Sequence, residues 1–284
     1  MSELAVATVT HNELHNKLPR LVYSVMKFIP YGVYMVWDNA SGDGTQFWLR
    51  KVPVPRLRVF RSEVNLYDLP AYNRLANAVQ VLGYKHLLFI NPNTRILGRI
   101  DVEALLEPFR EDEKLVILGR PGPRVRKEEA TPEGVEGWGW CARLLEERDF
   151  WQLEDVDTAH IQTFCFVVDV DKFIELGGFR FRNRLFDMRK PDERFPKRPV
   201  DFTDKGNMIA SEIEFSVRAR RLGYHIGYAR PWPFYHYFSY KGAPHSVEEM
   251  DEIDTEFGFP PLGYKYGQLG EDIYGRRKSV TDRV

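Results

Sequence analysis

Short apolar runs and longer amphipathic stretches alternate along the N-terminal part of the chain. The runs are LAVATVT from Leu4, VYMVW from Val33, LRVFR from Leu57 and HLLFIN from His86. Each has the length of a strand, and near-continuous hydrophobicity is what a strand buried on both faces requires. HNKLPRLVYSVMKF after the first run, GDGTQFWLRKV after the second and LPAYNRLANAVQVLGY before the fourth carry apolar residues at helical spacing. Strands alternating with helices predict an α/β fold, a mainly parallel, doubly wound sheet flanked by helices. Ligands of such a sheet bind beyond the carboxyl ends of its strands. No internal repeat or long low-complexity linker interrupts the pattern.

The stretch VYMVWDNASGDGT, residues 33–45, is such a strand end. It places Asp38 where the second strand empties into the expected crevice, with Gly42 and Gly44 free to turn the backbone. A carboxylate there can accept hydrogen bonds from a base or a ribose. The same residues also suit a turn followed by a helix cap.

Composition narrows the picture only slightly. The 284 residues, 43% hydrophobic and 14% aromatic, suffice for one large domain or two small ones with a substantial core. Forty basic against 41 acidic residues give a formal net charge of −1, so affinity for nucleic acid or an anionic membrane would have to come from a local patch. Cys141 and Cys165 are too few for a disulfide framework, which makes a reducing cytoplasm the expected setting. There is no signal-peptide pattern, and no apolar run approaches the roughly 20 residues that span a bilayer. The chain is therefore expected to be soluble, or at most peripheral to a membrane.

The order of further motifs resembles inverting glycosyltransferases of family 2, which have the GT-A fold, over about residues 4–246. TVTHN ending at Asn12 is similar to the family's first strand and nucleotide-contacting turn, and VWDNASGDGT to its "vDNaSsDgt" segment. By that resemblance Thr10, Asn12, Asp38 and Asn39 line the nucleoside pocket. NLYDLPAYN keeps Asn65 and Asn73, the outer asparagines of the family's "N-x-G-x-x-x-x-x-N", but has Tyr67 where glycine is usual. LLFINPNTRI falls where the family carries an NPDT or D-x-D element that holds Mg²⁺ or Mn²⁺ against the donor diphosphate. Asn91 joins the donor-binding set, and Asn93 stands in place of the acidic ligand. An amide oxygen can ligate a divalent ion but brings no charge, so metal binding is expected to be weaker or dependent on the nucleotide phosphates. A strand followed by a polar Asn-Pro turn would read the same way.

Farther on, TFCFVVDVDKFIELGGF resembles the family's strand, short helix and "GGF" turn near the acceptor. SEIEFSVRARRLGYHIGY is similar to its "EDvdlslRarraGyri". This alignment gives Glu212 the place of the catalytic base, with Ser211 replacing the preceding acid and Glu214 a helical neighbour. Inversion needs a base to take the acceptor's proton as it attacks opposite the leaving nucleotide diphosphate. A carboxylate at a helix start is supported by the positive helix terminus; Glu212 could equally cap a surface helix. In PFYHYFSYKGAPHS, His236 matches the family's late histidine, which approaches metal and diphosphate, with His245 in reserve and Lys241 within reach of phosphate.

The resemblance implies a GT-A domain over 1–246, with a nucleotide-binding half to about 98, an acceptor half to 246, and a C-terminal extension over 247–284. The donor would be a UDP, dTDP or GDP sugar and the cofactor a divalent cation. The acceptor would be a saccharide or lipid-linked glycan, with nucleic acid kept open by the basic, phenylalanine-containing insert 180–208. Trp138 and Trp140 flank a glycine, as a sugar-stacking platform or a buried corner would. The tail could close over the site or mediate self-association. Two other classes compete. A nucleotide-sugar-binding module without transfer would fit Tyr67, Asn93 and Ser211; a nucleotidyltransferase would need two carboxylates around metal ions, which Asn93 disfavours.

Overall fold

The computed structural model describes residues 3–15, 17–66, 68–121, 161–179, 215–216, 218–220, 222–229, 232–237, 247–259, 262 and 269. The apolar runs form β1 (Leu4–Thr10), β2 (Val33–Asn39), β3 (Leu57–Ser62) and β4 (His86–Ile90). β1 pairs in parallel with β2 and β4, and β2 with β3, so these four lie side by side in the order 3-2-1-4. Their carboxyl ends all point the same way.

The sheet continues through β7 (Ile161–Asp169), antiparallel to both neighbours, then β6 (Leu115–Pro121) and β8 (His225–Tyr228). A separate two-stranded ribbon joins β5 (Thr94–Ile96) to β9 (Phe234–His236). The fold is the expected α/β class, a mainly parallel sheet with helices on both faces.

Strict alternation along each strand divides the core in two. Tyr34, Val36, Leu88 and Ile90 face α1 (Leu18–Phe28), α2 (Thr45–Leu49) and α4 (Val102–Glu111). Met35, Trp37, Leu87 and Phe89 face α3 (Asp68–Val81) and α5 (Val170–Glu175). Burial on both sides is why these strands read as unbroken hydrophobic runs. α1 begins with Pro19 in its first turn, where the missing N–H costs no hydrogen bond. Asp101 caps α4 by accepting from the N–H groups of Glu103 and Ala104. α2 is shorter than the helical pattern over 42–52: Lys51 and Val52 both donate to Trp48 O, and Pro53 disfavours helical backbone at Val52.

On the α3 face, aromatic rings fill the space below the GGF turn. Tyr72 meets Phe89 at 4.6 Å, Phe173 meets Phe179 at 5.2 Å, and Phe179 meets Phe215 at 5.3 Å. Such tilted and edge-on pairs add to the burial energy of each ring. The last described helix, α6 (Val247–Glu256), belongs to the expected C-terminal extension.

Candidate functional site

The strand register sets the first group of side chains. Thr10 pairs with Asp38, and Asp38 with Arg61, so these three stand in one row across the carboxyl ends of β1, β2 and β3. Asp38 is fully buried. One carboxylate oxygen accepts from the N–H of Ser41 at 2.9 Å, and the other pairs with Arg61, whose second arm donates to Ser41 O at 3.1 Å. Arg61 therefore covers Asp38 from the solvent side. Asn39, one residue on and facing the other way, accepts from Trp37 Nε1, Ser62 Oγ and the N–H of Leu66. That last bond holds the chain beside Asn65, which is half-buried just beyond β3.

The loops after β1 and β2 are laced together. Asn12 donates its N–H to Ser41 Oγ at 2.9 Å and accepts from the N–H of Gly42 at 2.8 Å. Leu14 donates its N–H to Asp43, and His11 Nδ1 lies 2.7 Å from Asn39 O. Asp43 also accepts from the N–H and hydroxyl of Thr45 at the start of α2. Asn12 and Ala40 have φ of 56° and 58°, the left-handed region that alanine seldom occupies. The loops are held in an uncommon conformation by side chains that sit within them.

Against this satisfied background, one atom stands out. Thr10 is 2% exposed and its hydroxyl has no hydrogen-bond partner among the described residues. A buried hydroxyl normally finds one.

A second group gathers around Phe164 of β7. Its carbonyl accepts from the N–H of Asn91 at 2.8 Å and from Thr94 Oγ1 at 3.2 Å, and its ring stacks on His236 at 4.5 Å. Tyr72 of α3 donates its hydroxyl to Asn91 Oδ1. Across the ribbon, Tyr237 donates its N–H to Asn93 O at 3.0 Å. Asn93 Oδ1 is a second buried oxygen without a partner among the described residues. Burial beside Phe164, assisted by the positive charges of Arg120 and Lys17, lowers the His236 pKa to about 4. The imidazole is neutral at pH 7 and offers one N–H and one lone pair.

Asn73 joins neither group directly. Its amide exchanges two bonds with the backbone of Phe179, donating to the carbonyl at 2.8 Å and accepting from the N–H at 2.9 Å. Arg218 donates to the carbonyls of Leu176 and Gly178 from the other side. α3, the GGF turn and the helical residues 218–220 are thereby clamped as one piece. The proposed base Glu212 lies just upstream, outside the described residues, as do Tyr67, Trp138, Trp140, Ser211, Glu214, Lys241, His245 and the insert 180–208.

A divalent cation finds little to hold it among the described residues. No group of three or more His, Cys, Asp or Glu comes together there. Asn93 and His236 would contribute an amide oxygen and an imidazole, whereas a hard cation calls for several oxygens including carboxylates. These two residues alone do not fit Mg²⁺ or Mn²⁺.

Sequence reasoning missed Arg61, Tyr72 and the clamping role of Arg218, whereas Ser41 and Asp43 make the turn and cap expected of that stretch. Arg61 comes opposite Asp38 only through the register of β2 and β3, whose ends lie beyond the apolar runs. No local signal joins Asn73 to Phe179, which lies 106 positions away.

No protein-family model matches the chain, and no curated protein matches it. Solved structures similar to it include the mannosyltransferase PcManGT from Pyrobaculum calidifontis in complex with GDP-Man and Mn²⁺, at 14% identity and a TM-score of 0.49. That match covers 81% of this chain and 55% of the other. S. aureus TarS 1-349 is similar in complex with UDP-GlcNAc, at 15% identity and a TM-score of 0.44, covering 82% of this chain and 58% of that one. Its complex with UDP gives 14% identity, a TM-score of 0.45, and coverage of 82% and 60%. The chain spans little more than half the length of these structures, and likeness at this level carries no argument about the site. No helix among the described residues is long and apolar enough to cross a membrane.

Proposed function

We propose that the chain is an inverting glycosyltransferase of the GT-A type, moving a sugar from a nucleotide diphosphate donor to an acceptor hydroxyl. The observation that carries this reading is the pair of buried oxygens without partners among the described residues, Thr10 Oγ1 and Asn93 Oδ1, at and just beyond the carboxyl ends of β1 and β4. Each costs free energy unless a bound group completes its hydrogen bonding. Both lie at the end of the sheet where ligands of open α/β folds bind. The motif order supplies the identity of the ligand.

In this reading the nucleoside enters beside Thr10, over the laced loops of residues 11–14 and 38–45. Asp38 acts together with Arg61, whose guanidinium is the part of the pair that meets solvent. Asn65 and Asn91 border the donor, and Asn73 fixes the GGF turn on the acceptor side. Neutral His236 donates its N–H to a phosphate oxygen of the leaving diphosphate, with Asn93 alongside. Glu212 takes the acceptor's proton as its oxygen attacks the anomeric carbon. The acceptor is a saccharide or a lipid-linked glycan, and the enzyme works in the cytoplasm or against a membrane surface. The catalytic domain ends near residue 246.

The test is release of nucleotide diphosphate from a panel of UDP, dTDP and GDP sugars, with and without Mn²⁺, in the wild type and Glu212→Ala. Release from one donor, lost in the variant, is the expected result; failure of every nucleotide to bind would overturn the reading. A second reading, a nucleotide-sugar-binding module without transfer, fits Asn93 in the place of the acidic ligand. Asn93→Asp separates the two. In a transferase it lowers the Mn²⁺ needed for half-maximal turnover; a pure binder shows nucleotide affinity and no turnover at any Mn²⁺.

A further inference from the structure

α6 packs Met250 and Ile253 against Tyr235 and Tyr237, and one buried carboxylate of the helix joins it to both α1 and the ribbon. Asp254, buried, receives Arg20 of α1 at 2.6 Å on Oδ2, with Nε of Arg95 from β5 3.0 Å from the same oxygen. Its Oδ1 accepts the hydroxyl of Tyr237 at 2.8 Å. Arg20 also reaches Asp251, one turn back on the exposed side of α6, at 2.5 Å. Arg95 sits two positions after Asn93, and Tyr237 directly follows His236. Asp254 thus ties Arg95 of β5 to Tyr237 just past β9, beside the two residues that face the diphosphate in the proposed reaction.

We infer that Asp254 is a positioning residue: through Arg95 and Tyr237 it sets the ribbon geometry that aims Asn93 and His236 into the site. The inference rests on the proposed transfer function for its catalytic consequence, and on the ribbon contacts alone for its structural one. Two features make Asp254 more than a tether for α6. Its carboxylate ties Arg95 of β5 and Tyr237, the residue after β9, to one point, so its loss removes an anchor that the ribbon has in addition to Phe164. The ribbon has only three residues in each strand, too few to hold its own angle against the main sheet. The Tyr237 backbone then passes the constraint to Asn93 O, and the Phe164 ring passes it to His236.

The experiment compares the wild type with Asp254→Asn, Tyr237→Phe and Asp251→Asn in the full chain, well below the melting temperature of each. The first readout is the pair of carbon-bound imidazole proton signals of His236, assigned by their loss in His236→Gln and recorded without donor. The second is kcat against KM for donor hydrolysis. Asp254→Asn and Tyr237→Phe are expected to move the His236 signals and to lower kcat by about tenfold with KM nearly unchanged, the pattern of a misaimed group. Asp251→Asn, on the exposed side, is expected to move neither.

Tyr237→Phe removes one hydroxyl and keeps the ring, so it covers the case in which Asp254→Asn does not fold. Unmoved His236 signals in the folded variants would overturn the inference. So would moved signals with wild-type kcat. A wild type that neither binds nor hydrolyses any donor would sink the transfer reading instead, and the His236 signals would still decide whether Asp254 sets the ribbon.

Discussion

A threonine hydroxyl is small enough to remove without changing the shape of what surrounds it, which makes Thr10 the sharpest single-residue test of the site. Its oxygen is buried without a partner among the described residues, so Thr10→Val is expected to leave stability unchanged or slightly raised. The same change should weaken nucleotide binding by about 0.5–1.5 kcal/mol, roughly two- to thirteenfold in Kd. Calorimetric titration with UDP and GDP, alongside urea unfolding, separates the two effects. A loss of stability with no loss of affinity would show that the hydroxyl serves the fold. Asp38 presents the opposite case, a charge already spoken for. Its row partner Arg61 becomes visible only once β2 and β3 are set in register, because nothing in DNASGDGT itself points 23 residues forward.

At the scale of elements, the clamp between α3 and the GGF turn is open to direct test. Gly178 has a φ of +59°, and a Cβ built there would lie 2.4 Å from Asn73 Oδ1. Gly178→Ala therefore meets both a disfavoured backbone and a clash with the amide that holds Phe179. It is expected to cost more than the approximately 1 kcal/mol of an ordinary glycine-to-alanine misfit, read as a lower urea midpoint at unchanged slope. Asn73→Ala, which leaves the Phe179 N–H and C=O to find water, should cost about 1–3 kcal/mol. Gly178→Ala is expected to cost less in the Asn73→Ala background than in the wild type, the difference being the clash with the amide and the remainder the backbone strain. The elements themselves were largely legible. LAVATVT marks β1 from end to end, and the run at Val33 gives β2 apart from its last two polar residues. α2 came out short because the pattern carries no weight for Pro53. The docking of α6 was not legible, since the Tyr237–Asp254 bond joins a strand end to a helix through groups whose partners are fixed only in three dimensions.

For the molecule as a whole, acid sensitivity follows from its histidines. His86, in the core beside Phe109, has neither ring nitrogen hydrogen-bonded among the described residues, and burial lowers its pKa to about 4, as it does for His236. Both folded values lie below the ordinary 6.5, so the unfolded chain binds these protons first as the pH falls. Their contribution to stability is complete above pH 6.5 and is lost towards pH 4, with a slope of at most about 1.4 kcal/mol per pH unit for each. Chemical unfolding at pH 7 and pH 5 should show His86→Leu gaining on the wild type at the lower pH. An identical difference at both pH values would mean that His86 titrates normally. The position of β7 has a different consequence, one of timing. β1 to β4 are complete once residue 90 has been made, whereas Cys165, the partner of Ile90, follows 75 residues later. At about 5–20 residues per second the ribosome takes roughly 4–15 s to supply it. During that interval the four parallel strands can assemble while the hydrogen-bonding edge of β4 stays open, so the nascent chain carries a sticky border that only its own later synthesis closes.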